Sequence, residues 1–349
     1  MRRAKRTRSA ADRRGRCSAG LQVCVRRLSA ALKGCATLQA SMSVSERTWI
    51  TAGLPSGAYE ALTRELPASR LWSLLLEVVD ARAAARRPAS LMEQWDRDRF
   101  VGLAAVDQRA QLEVDRHLLD AASAFESIEL SPVAPLGVCS SMGRASQNKV
   151  LSALRGTEVV ADPTNVMALE CARRLRRDPQ AVVRLATSHR CVRAQEIPKV
   201  RGFTAHFRMF CLAGAGVERG NHAFVVGAIA EQISVMIDAL ERLERHGFAF
   251  PEKRITVLAS EAKAALGDRI AEKVGRPRIA RGVLDHQYYD GLRFQIAARS
   301  TDGVDVPLID GGAFDWVARL ASNNKAVFIA TGAGSQLVPL LFRQSGSDS

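Results

Sequence analysis

The chain has 349 residues, of which 47% are hydrophobic and 25% charged, and its formal net charge is +14. This composition excludes a wholly disordered chain and allows one large domain or two modest ones, and no uninterrupted apolar run approaches the roughly 18 residues of a membrane span. The charge belongs to one end: residues 1–42 hold 11 Lys+Arg against the single acid Asp12, a net +10 that leaves +4 for the rest, so a nucleic-acid role has only that stretch to rest on.

Residues 1–41 read as a basic tail, either an over-called start or a disordered arm, because they lack the continuous apolar stretch of a secretory signal and ordinary composition begins at Met42 with "MSVSERTW". The seven cysteines are scattered without a CxxC. Cys17, Cys24 and Cys35 lie in the tail, and Cys139, Cys171, Cys191 and Cys211 stand among apolar neighbours. Neither a disulfide framework nor a zinc spacing results, so buried free thiols in a reducing cytoplasm are expected. Cys191 beside Arg190 has the setting of a reactive thiol or of a simply buried one.

Residues 42–115 read as a helical N-terminal segment. "AYEALTRELPASRLWSLLLEVVDARAAARR" is rich in Ala, Leu, Glu and Arg, and "AAVDQRAQLEVDRHLLDAASAF" repeats apolar residues near helical spacing at Leu112, Val114, Leu118 and Leu119. From Ile128 the texture changes: "SIELSPVAPLG" reads as a short strand followed by two prolines, which confine it to a sheet edge or a strand end. "DPTNVMALECARRLRRD" predicts a helix capped by Asp162, with Pro163 in its first turn and a basic C-terminal end that suits the helix dipole.

The stretch "RLATSHRCVRAQEIPKVRGFTAHF", residues 184–207, predicts two strands around a loop with Pro198 and Lys199, and carries Arg190, Arg193, Arg201 and His206. Cations so spaced need an anion or a solvated face. "AIAEQISVMIDALERLERHGF" predicts an amphipathic helix through Ile229, Ile233, Met236, Ile237, Leu240 and Leu243, stopped at Gly247. A further helix near 259–274 precedes two strand-like runs, "GLRFQIAAR" and "KAVFIAT", separated by "LIDGGAFDWVARL". Helices followed by mixed strands and helices predict an α+β fold, an antiparallel sheet with helices packed on it.

"HRCVRAQ" looks like motif 2 and "VRGFTAHFRMF" like its returning strand; "AFESIELSPVAP" stands in the place of motif 1, and "LDHQYYDGLRFQI", "DGGAFDWVARL" and "ATGAGSQLVPLL" follow in the expected order. On these residues, from about Arg116 to Phe342, the chain resembles the catalytic core of class II aminoacyl-tRNA synthetases, most closely the histidyl type and its non-catalytic relative, the regulatory subunit of ATP phosphoribosyltransferase. The resemblance assigns 116–349 to that core. It implies that Arg190 is the catalytic cation gripping the α-phosphate of ATP, a role suited to a bidentate, always-charged fork. Arg193 and Arg201 would reach the outer phosphates with Mg²⁺, and His206 the nucleotide. Asp162 would receive a substrate's α-ammonium group, and Tyr288 and Tyr289 would line its pocket. Read on the residues alone, Asp162 is a helix cap, the tyrosines are core aromatics and the hairpin is a solvated basic face.

Several positions depart from the pattern. Val192 stands where motif 2 has its glutamate, Met209 and Ala213 where the histidyl type recognises its substrate, and Ser335 or Gln336 where motif 3 has its ATP-binding arginine. A pocket made apolar at Met209 and Ala213 leaves an imidazole N–H unpaired on burial. No anticodon-binding domain is expected, so a tRNA partner would be read at its acceptor end alone. Two functions follow: a stand-alone, cytoplasmic, ATP-dependent ligase that activates a small amino acid or related carboxylate as an adenylate, or a non-catalytic amino-acid-binding regulatory subunit. Either is expected to be a homodimer, paired through the motif 1 stretch.

Overall fold

The computed structural model describes residues 44–143, 146–197, 200–276 and 278–344. The expected tail with its three cysteines, and Pro198 and Lys199 of the hairpin loop, lie outside the described residues. In chain order the strands are β1 Glu126–Ser127, β2 Val133–Pro135, β3 Ser152–Ala153, β4 Thr157–Val159, β5 Val183–Val192, β6 His206–Val217, β7 Arg254–Ala259, β8 Ile279–Val283, β9 Leu292–Arg299, β10 Asp305–Phe314 and β11 Ala326–Ala333. The main helices are α1 Val44–Thr51, α2 Ala68–Ala84, α3 Pro88–Arg97, α4 Gln108–Ala121, α5 Val138–Gly143, α6 Pro163–Arg177, α7 Ala223–Glu244, α8 Ala264–Val274, α9 Trp316–Ala321 and α10 Leu337–Leu341.

Eight strands form one sheet in the order β1-β5-β6-β11-β10-β9-β7-β8, and β2-β4-β3 form a small one. The inner pairs of the large sheet are antiparallel, as expected, while the outermost strands β1 and β8 run parallel to β5 and β7. Side chains alternate across a strand, and here both faces are apolar. β6 sends Phe210 and Leu212 to one side and Met209, Cys211 and Ala213 to the other; β11 divides Ile329 from Phe328 and Ala330 in the same way. The first side is covered by α4, α7, α8 and α10, and is called the α7 face; the second is covered by α6 and α9, and is called the α6 face.

The amphipathic helix expected around Ile229–Leu243 is α7, and its apolar stripe, Ile229, Ile233, Met236, Ile237, Leu240 and Leu243, is buried on the sheet. At 22 residues it is long and apolar enough to cross a membrane by length and composition, a feature the run-by-run reading of the sequence missed; 61% of its most apolar window is buried inside the protein, where that apolarity builds the core. Two further expectations need correction. The 115/116 boundary falls inside α4, which buries Val114, Asp115, His117 and Leu118 and so belongs with the sheet. "LIDGGAF", read as a separator, is β10 at the sheet centre. Its glycines conceal a strand yet are needed there: a Cβ on Gly312 would lie 2.3 Å from the Leu292 carbonyl oxygen, and one on Gly311 2.5 Å from Thr331 Oγ1.

Candidate functional site

The antiparallel register of β5 and β6 sets Arg190 opposite Arg208 and Val192 opposite His206. On the α7 face, the Arg190 Nη1 lies 2.9 Å from His206 Nδ1, and its Nη2 donates to Gln336 Oε1 at 3.3 Å. His206 Nε2 sits 2.6 Å from the Gly102 carbonyl. A carbonyl only accepts, so Nε2 carries the proton and Nδ1 is the acceptor for Arg190, which makes the ring a neutral relay between the hairpin and the loop before α4. Arg208 pairs with buried Asp115 at 2.8 Å and donates to Ser188 Oγ at 3.1 Å. Burial, and then the charge of Arg208, lower the Arg190 pKa from its ordinary value.

Arg193 lies on the other side of the sheet. Its Nε donates to the Ala161 carbonyl at 2.9 Å, its Nη2 is 3.6 Å from Asp162 Oδ2, and its guanidinium stacks 5.2 Å from the Phe207 ring centroid. Arg193 and Asp162 are both buried. The other Asp162 oxygen accepts from Thr164 N at 3.0 Å and from Thr164 Oγ1 at 2.7 Å, which caps α6. Arg201 stands apart, exposed and 3.3 Å from Asp302. The four candidate hairpin residues therefore fall in three places: Arg190 with His206, Arg193 with Asp162, and Arg201 alone among the four.

A cleft of about 510 Å³ opens beside Tyr288 and Tyr289, with Met142, Gly143, Trp316 and the loop 284–291 in its wall. Tyr288 meets Tyr289, Phe314 and Trp316 edge-on, with centroids 5.0, 5.5 and 6.2 Å away. Asp285, Asp290 and Asp315 line the cleft with one cation, Lys263, whose Nζ is 2.9 Å from Asp290 Oδ1. Behind Gly143 lies Asn165, 1% exposed, whose amide oxygen and nitrogen have no partner among the described residues; a buried unpaired amide of this kind calls for a water or a ligand group.

Tyr289 is tied into a buried group that sequence reasoning missed. Its hydroxyl donates to Asp310 Oδ1 at 2.7 Å, while Arg293 grips the same carboxylate through Nε at 2.8 Å and Nη2 at 2.5 Å. His286 Nε2 lies 3.2 Å from Arg293 Nη1. Burial, with the Asp310 charge behind it, pushes the Tyr289 hydroxyl well above its ordinary pKa. The available signal was an arginine inside the apolar run "GLRFQI", because a charge in such a strand needs a buried partner.

Met209 and Ala213 face the same side as Arg193, and Met209 Sδ accepts from Arg193 Nη2 at 3.6 Å. Cys139, Cys171, Cys191 and Cys211 are buried free thiols. Burial pushes the Cys171 thiol up to about 12 and also raises those of Cys191 and Cys211 well above the ordinary thiol value, which removes the reactive reading of Cys191.

An antiparallel sheet with parallel outer strands, one face carrying the helices that flank a motif-2-like hairpin and the other opening to an aromatic cleft, is the class II aminoacyl-tRNA synthetase-like fold. The chain is similar to an ATP phosphoribosyltransferase regulatory subunit/histidyl-tRNA synthetase from Bacillus halodurans C, with TM-score 0.51, 14% identity, and coverage of 66% of this chain and 78% of that one. It is likewise similar to histidyl-tRNA synthetase from Nostoc sp. PCC 7120, with TM-score 0.51, 12% identity, and coverage of 69% and 73%. No protein-family model and no curated protein matches the sequence. At such identities the likeness shows the fold, and the function must be argued from the site.

Proposed function

We propose that this protein is a non-catalytic relative within the class II synthetase-like fold that binds a small amine-bearing molecule of amino-acid size in the α6-face cleft, in the manner of a regulatory subunit. The observation that carries this reading is the parting of the cations. Adenylate formation needs fixed positive groups converging on one phosphate chain. Here Arg190 and Arg193 point to opposite faces, Arg193 is held by Asp162 and Ala161, and Ser335 or Gln336 stands where the resemblance puts the motif 3 arginine. This placement supports a site that works without an ATP–Mg²⁺ clamp.

The cleft itself favours an ammonium group. Asp285, Asp290 and Asp315 line it, with Lys263 beside Asp290 and Arg319 beside Asp315, and the half-buried Tyr288 ring stands in its wall as an aromatic surface that attracts cations. A volume of about 510 Å³ lies within the usual range for small-molecule sites. One observation favours the adenylating enzyme instead: the 3.3 Å contact of Arg190 with Gln336 makes neighbours of the two positions that the resemblance gives to the ATP clamp.

Calorimetric titration of the full chain with ATP–Mg²⁺ and with a panel of free amino acids, followed by pyrophosphate exchange, tests the proposal. The expected result is saturable binding of at least one amino acid that Tyr288→Ala abolishes, with no heat from ATP–Mg²⁺ and no exchange. Amino-acid-dependent pyrophosphate exchange would overturn it in favour of the ligase.

A further inference from the structure

Asn165 stands in the first turn of α6, directly after Thr164. A polar side chain at this third helical position commonly reaches back to the capping residue. Here the cap is closed without it: Asp162 Oδ1 accepts from Thr164 N at 3.0 Å and from Thr164 Oγ1 at 2.7 Å, and Arg193 lies 3.6 Å from the other oxygen. The Asn165 side chain is buried, and neither its amide oxygen nor its amide nitrogen has a hydrogen-bond partner among the described residues. Folding takes both atoms out of water with no bond in return, so the helix start gives no reason for an amide here.

The amide edge is turned to the cleft. Gly143 lies in the cleft wall, and the point that a Cβ on it would take is 3.3 Å from Asn165 Oδ1, 3.6 Å from Nδ2 and 3.9 Å from Tyr288 Cε2. A single position at the wall thus touches the acceptor and the donor of the amide together with the ring that stands in the cleft. A side chain at residue 143 would take up that position, and glycine brings none.

A carboxamide edge offers one acceptor and one donor side by side. A ligand carboxylate only accepts, which leaves Oδ1 unpaired, and an ammonium only donates, which leaves Nδ2 unpaired. The ammonium–carboxylate edge of an amino acid offers both, but its ammonium is drawn to the carboxylates and the Tyr288 ring of the cleft. A primary carboxamide satisfies both atoms and brings no charge to a buried point whose neighbour in sequence, Asp162, is already engaged. We propose that Asn165 is a specificity-determining residue of the cleft, and that the ligand carries, besides its amine, a primary carboxamide that pairs edge to edge with the Asn165 amide. This inference rests on the reading of the cleft as a ligand site.

Calorimetric titration of the full chain with L-glutamine, L-asparagine, L-glutamate, L-aspartate, L-leucine, glycinamide and the other free amino acids tests it. At least one carboxamide is expected to bind about tenfold or more tighter than its carboxylate counterpart and than leucine, because each of these leaves an atom of the buried amide unpaired. Asn165→Leu keeps the size of the side chain and removes both polar atoms, so it is expected to keep the helical circular dichroism and to bring those affinities within about threefold of one another. Gly143→Ala, at a residue free of left-handed backbone, sets a methyl group against the amide and is expected to lower the same ratio. Carboxamides that bind no tighter than the acids and leucine, or a preference that survives Asn165→Leu (Gly143→Ala, should that variant alone fold), overturn the role of Asn165 and leave the cleft as an amino-acid site. A chain that binds none of these compounds overturns both.

Discussion

Arg293 holds Asp310 by two hydrogen bonds, 2.8 and 2.5 Å long, on the diagonal between β9 and β10, and the Tyr289 hydroxyl closes the group from the cleft side at 2.7 Å. The pair forms the floor on which the aromatic wall stands. Asp310→Ala leaves the Arg293 charge buried and unpaired, so the expected loss is about 3–5 kcal/mol. Tyr289→Phe removes one hydrogen bond from a carboxylate that keeps the two from Arg293 and a long one from Gln295, for a loss of about 1–2 kcal/mol. Urea denaturation followed by circular dichroism measures both, and equal losses would contradict this ranking.

The split of the hairpin cations reverses the ordinary expectation for Arg190 and Arg193. Arg193→Ala strands buried Asp162 and removes the contact to the Ala161 carbonyl, and is expected to cost about 3 kcal/mol of stability. Arg190→Ala relieves repulsion from Arg208 while losing contacts to His206 and Gln336, so the net cost is expected to stay below about 1 kcal/mol. Urea midpoints at constant m-value decide it. A larger loss at Arg190 than at Arg193 would reverse the assignment of faces.

Acid should weaken the protein partly through α6. Hydrogen bonds from Arg173, then Arg174, hold Glu170 at about 2 from an ordinary 4.5, against the opposing effect of burial. The folded value lies below the unfolded one, so this stabilisation is complete above about pH 4.5 and is lost as the pH falls toward 2. Both partners are partly exposed, which limits the contribution to on the order of 1 kcal/mol. Glu170→Gln should flatten the stability profile between those pH values and leave its shape above pH 5 unchanged, as followed by denaturant titration across the acid range.

Gly312 is a position where a single methyl group is costly. Its Cβ would lie 2.3 Å from a carbonyl oxygen and 2.6 Å from the Tyr289 ring, so β10 must shift against β9 to admit it. Gly312→Ala is expected to lose at least about 2 kcal/mol, read as a fall in Tm. An unchanged Tm would show that the two strands are not packed this closely.

What the sequence reveals depends on how local each signal is. α7 is legible from its apolar stripe, and the α6 cap from Asp162-Pro163-Thr164, since both are written within a few turns of chain. The opposite sidedness of Arg190 and Arg193 is also implied by strand alternation, although assigning both to one phosphate site disregards it. β10 escapes notice because Gly311 and Gly312 dilute its strand pattern. The Arg293–Asp310 pair is hidden for a different reason: the two residues are distant in sequence, and only the strand order brings them together.

The parallel outer strands have a consequence for the molecule's fate when heated or crowded. β1 is two residues long, and β8 is five, with Arg281 ion-paired to Asp268 at 2.6 Å. A fibril seed needs a long, flat, unpaired backbone border to recruit its next strand, and short charged borders deny it that template. The large sheet thus terminates itself at both sides. Misassembly of this protein is directed away from strand recruitment and toward the apolar helices outside the sheet, so early aggregates should keep a helical circular dichroism spectrum and fail to bind amyloid dyes.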